Sequence, residues 1–522
     1  MLLAALVGVV AGLGAVAFRE LIDAFHSLFF DGGAQAFGFL GRYYVILIPA
    51  IGGLLVGLLV HFFAREAKGH GVPEVMAAVA ARGGRIRARV SIVKTLASSI
   101  CIGSGGSVGR EGPIVQIGSS LGSAIGQRLR LPDEWMRTLV ACGAAGGISA
   151  TFNAPIAGVF FALEVILGKF ITRSFGFVVV SSVVADVVAH AFLGDTQSFI
   201  VPAYELVSAW ELPLYVGLGV AAAVVSVVFI YVLYKSEDIF DAWRFPEYLK
   251  PVLGGIIIGV IGLYSLDLLG VGYEAVERAL LGNIALSTLL VMGALKIMAT
   301  SITIGSGGSG GIFAPSLLMG AMFGGAFGEM AHRFFPTITA PTGAYALVGM
   351  AAVFAGAARA PITSIIILFE MTRDYDIMLP LMLAVVISTA VSRGLRAEGI
   401  YTTKVLRAGI DLRRYEEVDL MRSIAVGEAM TQNFPTVSPK MPVNKLVTKL
   451  TRTGHHGFPV VDEDGRLFGV VTLADVEAAL TDSDVELKVE DIATRSPIVA
   501  YPDQSLYEVM LRLGAKDVGR IP

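Results

Sequence analysis

Long apolar segments recur throughout the first 400 residues, and they restrict the possible folds of this chain more than any other feature of its sequence. They are close to the roughly 20 residues that an α-helix needs to cross a bilayer. The clear ones are 1–17, 44–63, 175–193, 213–234, 252–269, 284–301 and 376–391. With 55% hydrophobic residues and a mean hydropathy of +0.72, the chain is predicted to be a multi-pass integral membrane protein. A net charge of −3 gives no electrostatic reason to expect nucleic-acid binding.

Shorter apolar pieces, interrupted by glycine and proline, lie between these spans. They are 113–126, 154–167, 312–328 and 361–371. In lipid, an interrupted helix is tolerated only where neighbouring protein or water satisfies its backbone. Interrupted segments at matching places in two halves of a chain are typical of transporter sites. These pieces therefore predict a protein-lined site inside the membrane.

Charged residues divide the chain into two parts. Of its 83 charged residues, 33 lie in the last 122 positions, which leaves 50 for the first 400. This contrast predicts a membrane domain at 1–408 and a soluble domain at 425–522.

The soluble part alternates short strands with amphipathic helices. Its stretch 457–472 predicts a hairpin with Asp464 and Gly465 at the turn. The pattern occurs twice, at 425–482 and again at 488–522, where the second copy breaks off within the repeat. We therefore expect an α/β domain built from a pair of similar units.

A glycine-rich sequence motif, called the glycine phrase below, occurs twice in the membrane part. GSGGSVGREGP runs from Gly103 to Pro113, and GSGGSGGIFAP runs from Gly305 to Pro315, which is an offset of 202 residues. The stretches Asn153–Glu164 and Arg359–Glu370 also match, at an offset of 206. Ordered matches at a nearly constant offset predict an internal duplication, with halves of roughly 1–200 and 201–408. The offsets leave open whether the two copies run parallel or inverted.

Each glycine phrase leads into an interrupted helix, and this arrangement favours an anion site. Glycine lets backbone N–H groups approach a ligand closely, and a helix start presents unpaired N–H groups with a partial positive charge. Pro113 and Pro315 suit a first helical turn. The alternative is that the small residues only let helices pack closely in lipid.

Glu111 is the acidic residue of the first phrase and has no acidic counterpart in the second. A carboxylate inside the membrane is costly unless it serves a function. Glu111 is therefore predicted to occupy the anion site when ionised and to leave when protonated, as a gate and proton carrier. The alternative is a static ion pair with Arg110.

Motifs for enzymatic chemistry are not found in the sequence. Neither phrase ends in the Gly-Lys-Ser/Thr of a phosphate-binding loop, and H-E-x-x-H does not occur. Cys101 and Cys142 lie in apolar surroundings and have no metal-ligand spacing. We therefore expect no catalytic residues, no metal and no enzyme activity.

At these phrases the sequence resembles the CLC family of chloride channels and proton-coupled chloride exchangers. The resemblance rests on GHGVPE (Gly69–Glu74), GREGP (Gly109–Pro113), GGIFAP (Gly310–Pro315) and Tyr401, in that order, and covers nearly the whole chain. It implies an all-α polytopic membrane domain built from two inverted repeats with broken helices, followed by a soluble α/β domain. It also implies a homodimer in membrane lipid with one anion pathway in each subunit.

The resemblance assigns roles to individual residues. Glu111 resembles the external gating glutamate, the N–H groups of Ile312 and Phe313 would hold the central anion, and the hydroxyl of Tyr401 would contact it. The same anion-binding stretches include His70, Gly109, Arg110 and Gly112. Lys94 would raise the electrostatic potential near the site, or alternatively it is a snorkelling side chain.

Two positions depart from the family pattern. His70 replaces the usual serine of the central anion site, where it can donate a hydrogen bond or add charge; alternatively its ring turns away and a backbone amide coordinates the ion.

Val165 stands where exchangers usually carry an internal proton-transfer glutamate. Neighbouring Glu164 lies about 100° further around a helix, and its copy Glu370 suggests a structural role. We therefore favour passive chloride conduction through a voltage- or pH-gated channel, with proton-coupled exchange as the alternative and a cation transporter as a remote one.

The soluble part resembles a tandem CBS module, the cytoplasmic tail of many family members. GVVTLADV (Gly469–Val476) looks like its strand-to-helix turn. Residues matching Thr472 and Asp475 contact ribose or phosphate in members that bind adenine nucleotides, although helix capping alone also accounts for both. The resemblance places the protein in a plasma membrane, bacterial or archaeal, with this tail in the cytoplasm.

Overall fold

The computed structural model describes residues 1–169, 172–194, 204, 206–412, 421, 424–482, 487–516 and 521–522. Contacts divide the chain into two units, Met1–Ile410 and Asp411–Pro522.

The unit Met1–Ile410 is helical. In chain order its α-helices are α1 (Leu2–His26), α2 (Gly32–Phe37), α3 (Tyr44–Phe63), α4 (Val72–Ala81), α5 (Ala88–Gly103), α6 (Glu111–Arg128), α7 (Asp133–Phe152), α8 (Pro155–Phe161), α9 (Thr172–Leu193), α10 (Leu212–Ala242), α11 (Lys250–Gly262), α12 (Tyr273–Leu280), α13 (Leu286–Gly305), α14 (Phe313–Phe334), α15 (Thr342–Ala358), α16 (Pro361–Thr372), α17 (Met378–Leu395) and α18 (Ile400–Arg407). A π-helical turn, Ala162–Leu167, continues α8.

Five helical stretches of the described residues are long and apolar enough to cross a membrane. They are Leu2–Phe63, Ser174–Leu193, Ala209–Ala242, Leu286–Gly305 and Met378–Arg407. The predicted span at 252–269 is different, because α11 ends at Gly262 after 13 residues. Beyond it, Ser265 donates a hydrogen bond to Asp267 at 2.8 Å, and such local bonds compete with a continuing helix.

The two halves of this unit are built alike, since α1 and α3 to α9 recur in order as α10 to α17. At the crossing of α3 and α11, Gly53 abuts the carbonyl of Pro251 and Gly255 abuts the carbonyl of Pro49, so a Cβ at either glycine would collide. The two glycines are 202 residues apart, and so are the two prolines. The glycine of each half therefore packs against the proline of the other half, as expected for two halves related by a two-fold axis. The duplication is thus visible as two halves related by a local two-fold axis.

The unit Asp411–Pro522 combines helices with a small antiparallel sheet of strand order β1-β2-β3. The elements are α19 (Val426–Ala429), α20 (Val443–Thr453), β1 (Gly457–Val461), β2 (Leu467–Thr472), α21 (Leu473–Asp482), α22 (Val489–Ile492), β3 (Thr494–Arg495) and α23 (Leu506–Lys516). Phe458 of β1 pairs with Val471 of β2, and both pack in a core with Leu446 and Leu450 of α20. The predicted hairpin is confirmed.

Candidate functional site

The two glycine phrases meet at Gly109 and Gly311. The N–H of Gly109 donates to the carbonyl of Gly311 at 2.8 Å, and the N–H of Gly311 donates back at 2.6 Å, which forms an isolated antiparallel bridge. A second bridge joins Gly69 to Ser309. The starts of α6 and α14 and the loop before α4 are therefore held together at one place.

Both helices begin at this junction with open N-termini. Arg110 is the N-cap residue of α6 and Ile312 is the N-cap residue of α14, and among the described residues neither caps its helix through its side chain. The first N–H groups of a helix have no partner within the helix. Together with the helix dipole they favour a negatively charged group at this point.

The carboxylate of Glu111 is the negative group that the structure places there. Glu111 is only 1% exposed. Its Oε2 accepts a hydrogen bond from the N–H of Ala314 at 3.4 Å, in the first turn of α14, and its Oε1 accepts one from the Tyr273 hydroxyl at 2.8 Å. A Cβ at Gly109 would collide with Oε2, so this packing requires glycine there. The predicted donors Ile312 and Phe313 directly precede Ala314.

Arg110 does not point at the carboxylate of its neighbour. Its guanidinium carbon lies 5.3 Å from the centre of the Tyr273 ring, and its Nη2 donates to the Thr151 carbonyl at 3.5 Å. A cation above an aromatic face is attracted to the ring electrons. Arg110 therefore supports the tyrosine that contacts Glu111.

His70 and Tyr401 face one another on another side of the junction. Their ring centres are 5.9 Å apart, and each residue is 2% exposed. Gly112, at the start of α6, abuts the His70 carbonyl so closely that a Cβ there would collide. Neither ring nitrogen of His70 has a hydrogen-bond partner within the described part of the chain. Because an unpartnered buried polar group is costly, this ring is a strong candidate for a ligand contact.

Lys94 is completely buried, and its ammonium group holds the loop that carries His70. Its Nζ donates to the carbonyls of Ala67 and Gly69, at 3.1 and 2.7 Å. In the second half, Lys296 Nζ binds the carbonyls of Leu268 and Gly270, at 3.3 and 2.9 Å. The two lysines therefore position matching loops, one before α4 and the other before α12. The snorkelling alternative for Lys94 does not fit this burial.

Tyr273 was missed by the sequence reasoning. It is the first residue of α12 and follows Gly272, just as Val72 is the first residue of α4 and follows Gly71. The signal available in the sequence was the match between Lys94 and Lys296. That match implies that the loop before α12 approaches the site as the loop before α4 does.

Val165 and Glu164 lie on the turn that continues α8. Val165 is a buried apolar side chain. The carboxylate of Glu164 accepts hydrogen bonds from the N–H groups of Ile362 and Thr363, at 3.2 and 2.8 Å, and from the Thr363 hydroxyl at 2.7 Å. Glu164 thereby caps the N-terminus of α16.

Glu370 of α16 caps the N-terminus of α8 in the same way. Its carboxylate accepts from the N–H groups of Ile156 and Ala157, at 2.9 and 2.6 Å. The exchange of caps between the halves agrees with the structural role that the repeat predicts for both acids.

In the second unit, Thr472 and Asp475 bind each other. Asp475 Oδ2 accepts from the N–H and from the hydroxyl of Thr472, both at 2.7 Å, and the Asp475 N–H faces the Thr472 hydroxyl oxygen at 3.4 Å. This is the geometry of a capping box at the start of α21. Nucleotide binding at these residues stays a prediction.

Comparisons with known proteins agree with this arrangement. The sequence model of the family described as voltage gated chloride channel matches residues 52–393, and that of the CBS domain matches 426–482. The putative chloride channel protein ClcB-like of Ralstonia nicotianae is 34% identical over 79% of this chain and 98% of its own. The H(+)/Cl(-) exchange transporter ClcA of Vibrio cholerae is 33% identical over 80% of this chain and 92% of its own.

A solved structure extends the likeness to the fold. A slow cyanobacterial Cl-/H+ antiporter superposes with a TM-score of 0.72 at 27% identity, over 78% of this chain and 97% of its own. The chain therefore belongs to the CLC family of voltage gated chloride channels and related membrane anion transporters, and carries a CBS domain after its membrane unit.

Proposed function

We propose that the unit Met1–Ile410 conducts chloride passively across the membrane, along a pathway that the Glu111 carboxylate closes. The observation that carries this proposal is the position of that carboxylate, which is buried on the first turn of α14. A helix start of this kind binds chloride for the same reasons that it binds a carboxylate. Chloride and Glu111 therefore compete for one place, and protonation of Glu111 favours chloride.

Further along the pathway, the central anion contacts would come from His70, Tyr401 and the N–H groups of Ile312 and Phe313. The unpartnered ring nitrogens of His70 support this assignment, because chloride would accept the hydrogen bond that the ring has available. Gly109 and Gly112 contribute to this site because they have no side chain and so leave room for the Glu111 carboxylate and the His70 backbone. Arg110 and Lys94 add positive charge near the entrance and beneath the His70 loop.

Passive conduction is favoured over exchange by the surroundings of residues 164 and 165. Val165 has no titratable group, and all the hydrogen bonds described for Glu164 are made to the start of α16. Release of Glu164 for proton transfer would uncap that helix. Among the described residues, the usual internal proton acceptor is thus replaced by an apolar side chain next to a capping one.

Proton-coupled chloride exchange is the second candidate. The relative from Vibrio cholerae is named as an H(+)/Cl(-) exchange transporter, and the cyanobacterial structure is described as a Cl-/H+ antiporter. Glu111 is titratable, and His70 is a buried imidazole beside the pathway. In such a mechanism protons would reach Glu111 through water or through His70.

Flux measurements on the full chain in liposomes distinguish the two candidates. We expect a chloride gradient to dissipate without moving protons against their own gradient. Uphill proton movement driven by chloride would overturn passive conduction in favour of exchange. The Glu111→Gln variant tests the gate, because we expect its chloride flux to lose the pH dependence of the wild type.

We also propose the setting in which this transport takes place. By its family, the protein acts as a transporter and not as an enzyme, as a homodimer in the lipid of a bacterial or archaeal plasma membrane. The tail Asp411–Pro522 would lie in the cytoplasm and take adenine nucleotides at its CBS domain. Mass measurement in detergent or nanodiscs tests the dimer, and labelling of a cysteine introduced in the tail from either side of a vesicle tests the topology.

A further inference from the structure

We propose that Tyr273 is a positioning residue of the gate: its hydroxyl holds the Glu111 carboxylate in the pathway, and Arg110 holds the Tyr273 ring. This inference rests on the proposed role of Glu111 and adds a group that sets how readily Glu111 leaves. It gives the loop before α12 a function in transport.

The contact itself is the first argument. The Tyr273 hydroxyl donates to Glu111 Oε1 at 2.8 Å, whereas the N–H of Ala314, from the facing helix α14, donates to Oε2 at 3.4 Å. A hydrogen bond to an ionised group is stronger than one between neutral groups. By distance, the phenol makes the shorter of these two contacts with the carboxylate.

The backbone before α12 presents the phenol in this position. Gly272 has φ +84, in the left-handed region that favours glycine, and a Cβ there would also collide with the Leu318 side chain and the Asp267 carbonyl. Lys296 binds the Leu268 and Gly270 carbonyls just upstream. A buried lysine and a glycine with left-handed backbone thus determine where α12 begins, and Tyr273 is its first residue.

The first half has the same arrangement of a buried lysine and a left-handed glycine before a helix, but it positions a different side chain. There, Lys94 binds the carbonyls of Ala67 and Gly69, and Gly71 has φ +79 immediately before α4. Its first helical residue, Val72, has no side-chain donor, and the loop instead brings His70 to face Tyr401. Two matching loops therefore reach the pathway: one supplies His70 and the other supplies Tyr273.

Tyr273 also contacts a cavity that lies beside the gate. The cavity has a volume of about 170 Å³, and its wall includes Tyr273, Arg110, Arg19, His190 and Asp186. Two arginines against one aspartate leave the wall with a net positive charge, which attracts anions. Because Tyr273 touches both this cavity and the Glu111 carboxylate, its hydroxyl is placed to govern exchange of the carboxylate with an arriving anion.

Several titratable or charged side chains of the described residues face the gate, and Lys94 and Lys404 act electrostatically on His70 next to it. Around Glu111 they are Arg110 on α6, Tyr273 on α12, Tyr401 on α18 and His70 before α4. The cavity wall adds Arg19, Asp186 and His190. Removal of the Tyr273 hydroxyl leaves the other side chains in place, so a change in pH response that requires Glu111 would report on the bond between these two residues.

The test is Tyr273→Phe in the full chain, reconstituted in liposomes, with chloride efflux measured between pH 4 and pH 8. Loss of one hydrogen bond to a charged group predicts about a tenfold rise in flux at pH 7 and an increase of about one unit in the pH of half-maximal flux. In a Glu111→Gln background, where we expect no pH dependence, the same substitution should leave the flux unchanged across this pH range. Tyr215→Phe is the matched control, because that hydroxyl donates to Glu211 at 3.4 Å, a different carboxylate.

Each other result has a definite meaning. If Tyr273→Phe leaves the flux and its pH profile at wild-type values while Glu111→Gln alters them, Tyr273 does not position the gate, although Glu111 remains the gate. If Tyr273→Phe changes the flux equally in both backgrounds, it acts through the general fold and the inference is wrong. If Glu111→Gln keeps the pH profile of the wild type, the proposed gate itself fails.

Discussion

Gly109 and Gly311 exchange both of their backbone hydrogen bonds, and they are the same position in the two copies of one repeat. A residue that pairs with its own copy lies next to the local two-fold axis that relates the halves, because the axis passes between the two copies. The starts of α6 and α14 must therefore adjoin at this point. The anion site is thus a consequence of the duplication: two copies of one glycine phrase lie against each other and direct two helix starts to one place.

Substitution of Gly109 by alanine is the first test of this geometry. The added Cβ would occupy the space of Glu111 Oε2 and also approach the Ala314 side chain to 3.1 Å. We expect Gly109→Ala to displace the gate, which raises chloride flux several-fold at neutral pH and flattens its pH dependence. Liposome flux measures both quantities. A Gly118→Ala variant, which crowds the same helix α6 at the Gly143 carbonyl, away from the gate, serves as the control for general disruption.

Substitution of His70 tests whether its ring contacts the anion. His70→Ala removes a ring donor, and the loss of one hydrogen bond predicts about a three- to tenfold weaker chloride affinity. His70→Ser keeps a donor and should bind chloride nearly as the wild type does. Calorimetric titration of chloride into the purified protein measures these affinities. Equal affinity in His70→Ala and wild type would mean that a backbone amide coordinates the ion and the ring does not.

Much of this site could be predicted from local patterns, and the rest depends on contacts between distant segments. The anion site at the two helix starts could be predicted from the glycine phrases, their prolines and Glu111. A helix start is a local property of the chain, so its signals lie close together in the sequence. Tyr273 was not predicted, since its contact with Glu111 joins residues 162 positions apart and lies across the two halves. The end of α11 at Gly262 was also not predicted, because the apolar segment 252–269 continues past it. Hydrophobicity alone does not show that Ser265 and Asp267 form a hydrogen bond there.

Glu164 and Glu370 provide a matched pair for testing proton transfer. Each carboxylate caps the helix of the opposite half through two backbone N–H groups, so Glu164→Gln and Glu370→Gln should destabilise the protein by similar amounts, about 1 kcal/mol. Neither substitution should change the chloride flux at a given pH or reveal coupled proton movement. Thermal unfolding and paired chloride and proton flux measure the two effects. Proton coupling in the wild type that disappears in Glu164→Gln but persists in Glu370→Gln would make Glu164 a proton carrier.

Thr472 tests the capping interpretation of the CBS domain against nucleotide binding. Because Thr472 and Asp475 cap α21, Thr472→Ala should cost about 1 kcal/mol locally, which is roughly a fivefold faster amide exchange in α21. Thr472→Ser retains the hydroxyl and should exchange at the wild-type rate. Hydrogen exchange of the full chain, with and without AMP or ATP, measures both effects. If a nucleotide protects β2 and α21 in the wild type and in Thr472→Ser but not in Thr472→Ala, the hydroxyl has a second task as a ligand contact. If no nucleotide alters the exchange of any of the three proteins, capping alone accounts for Thr472 and Asp475.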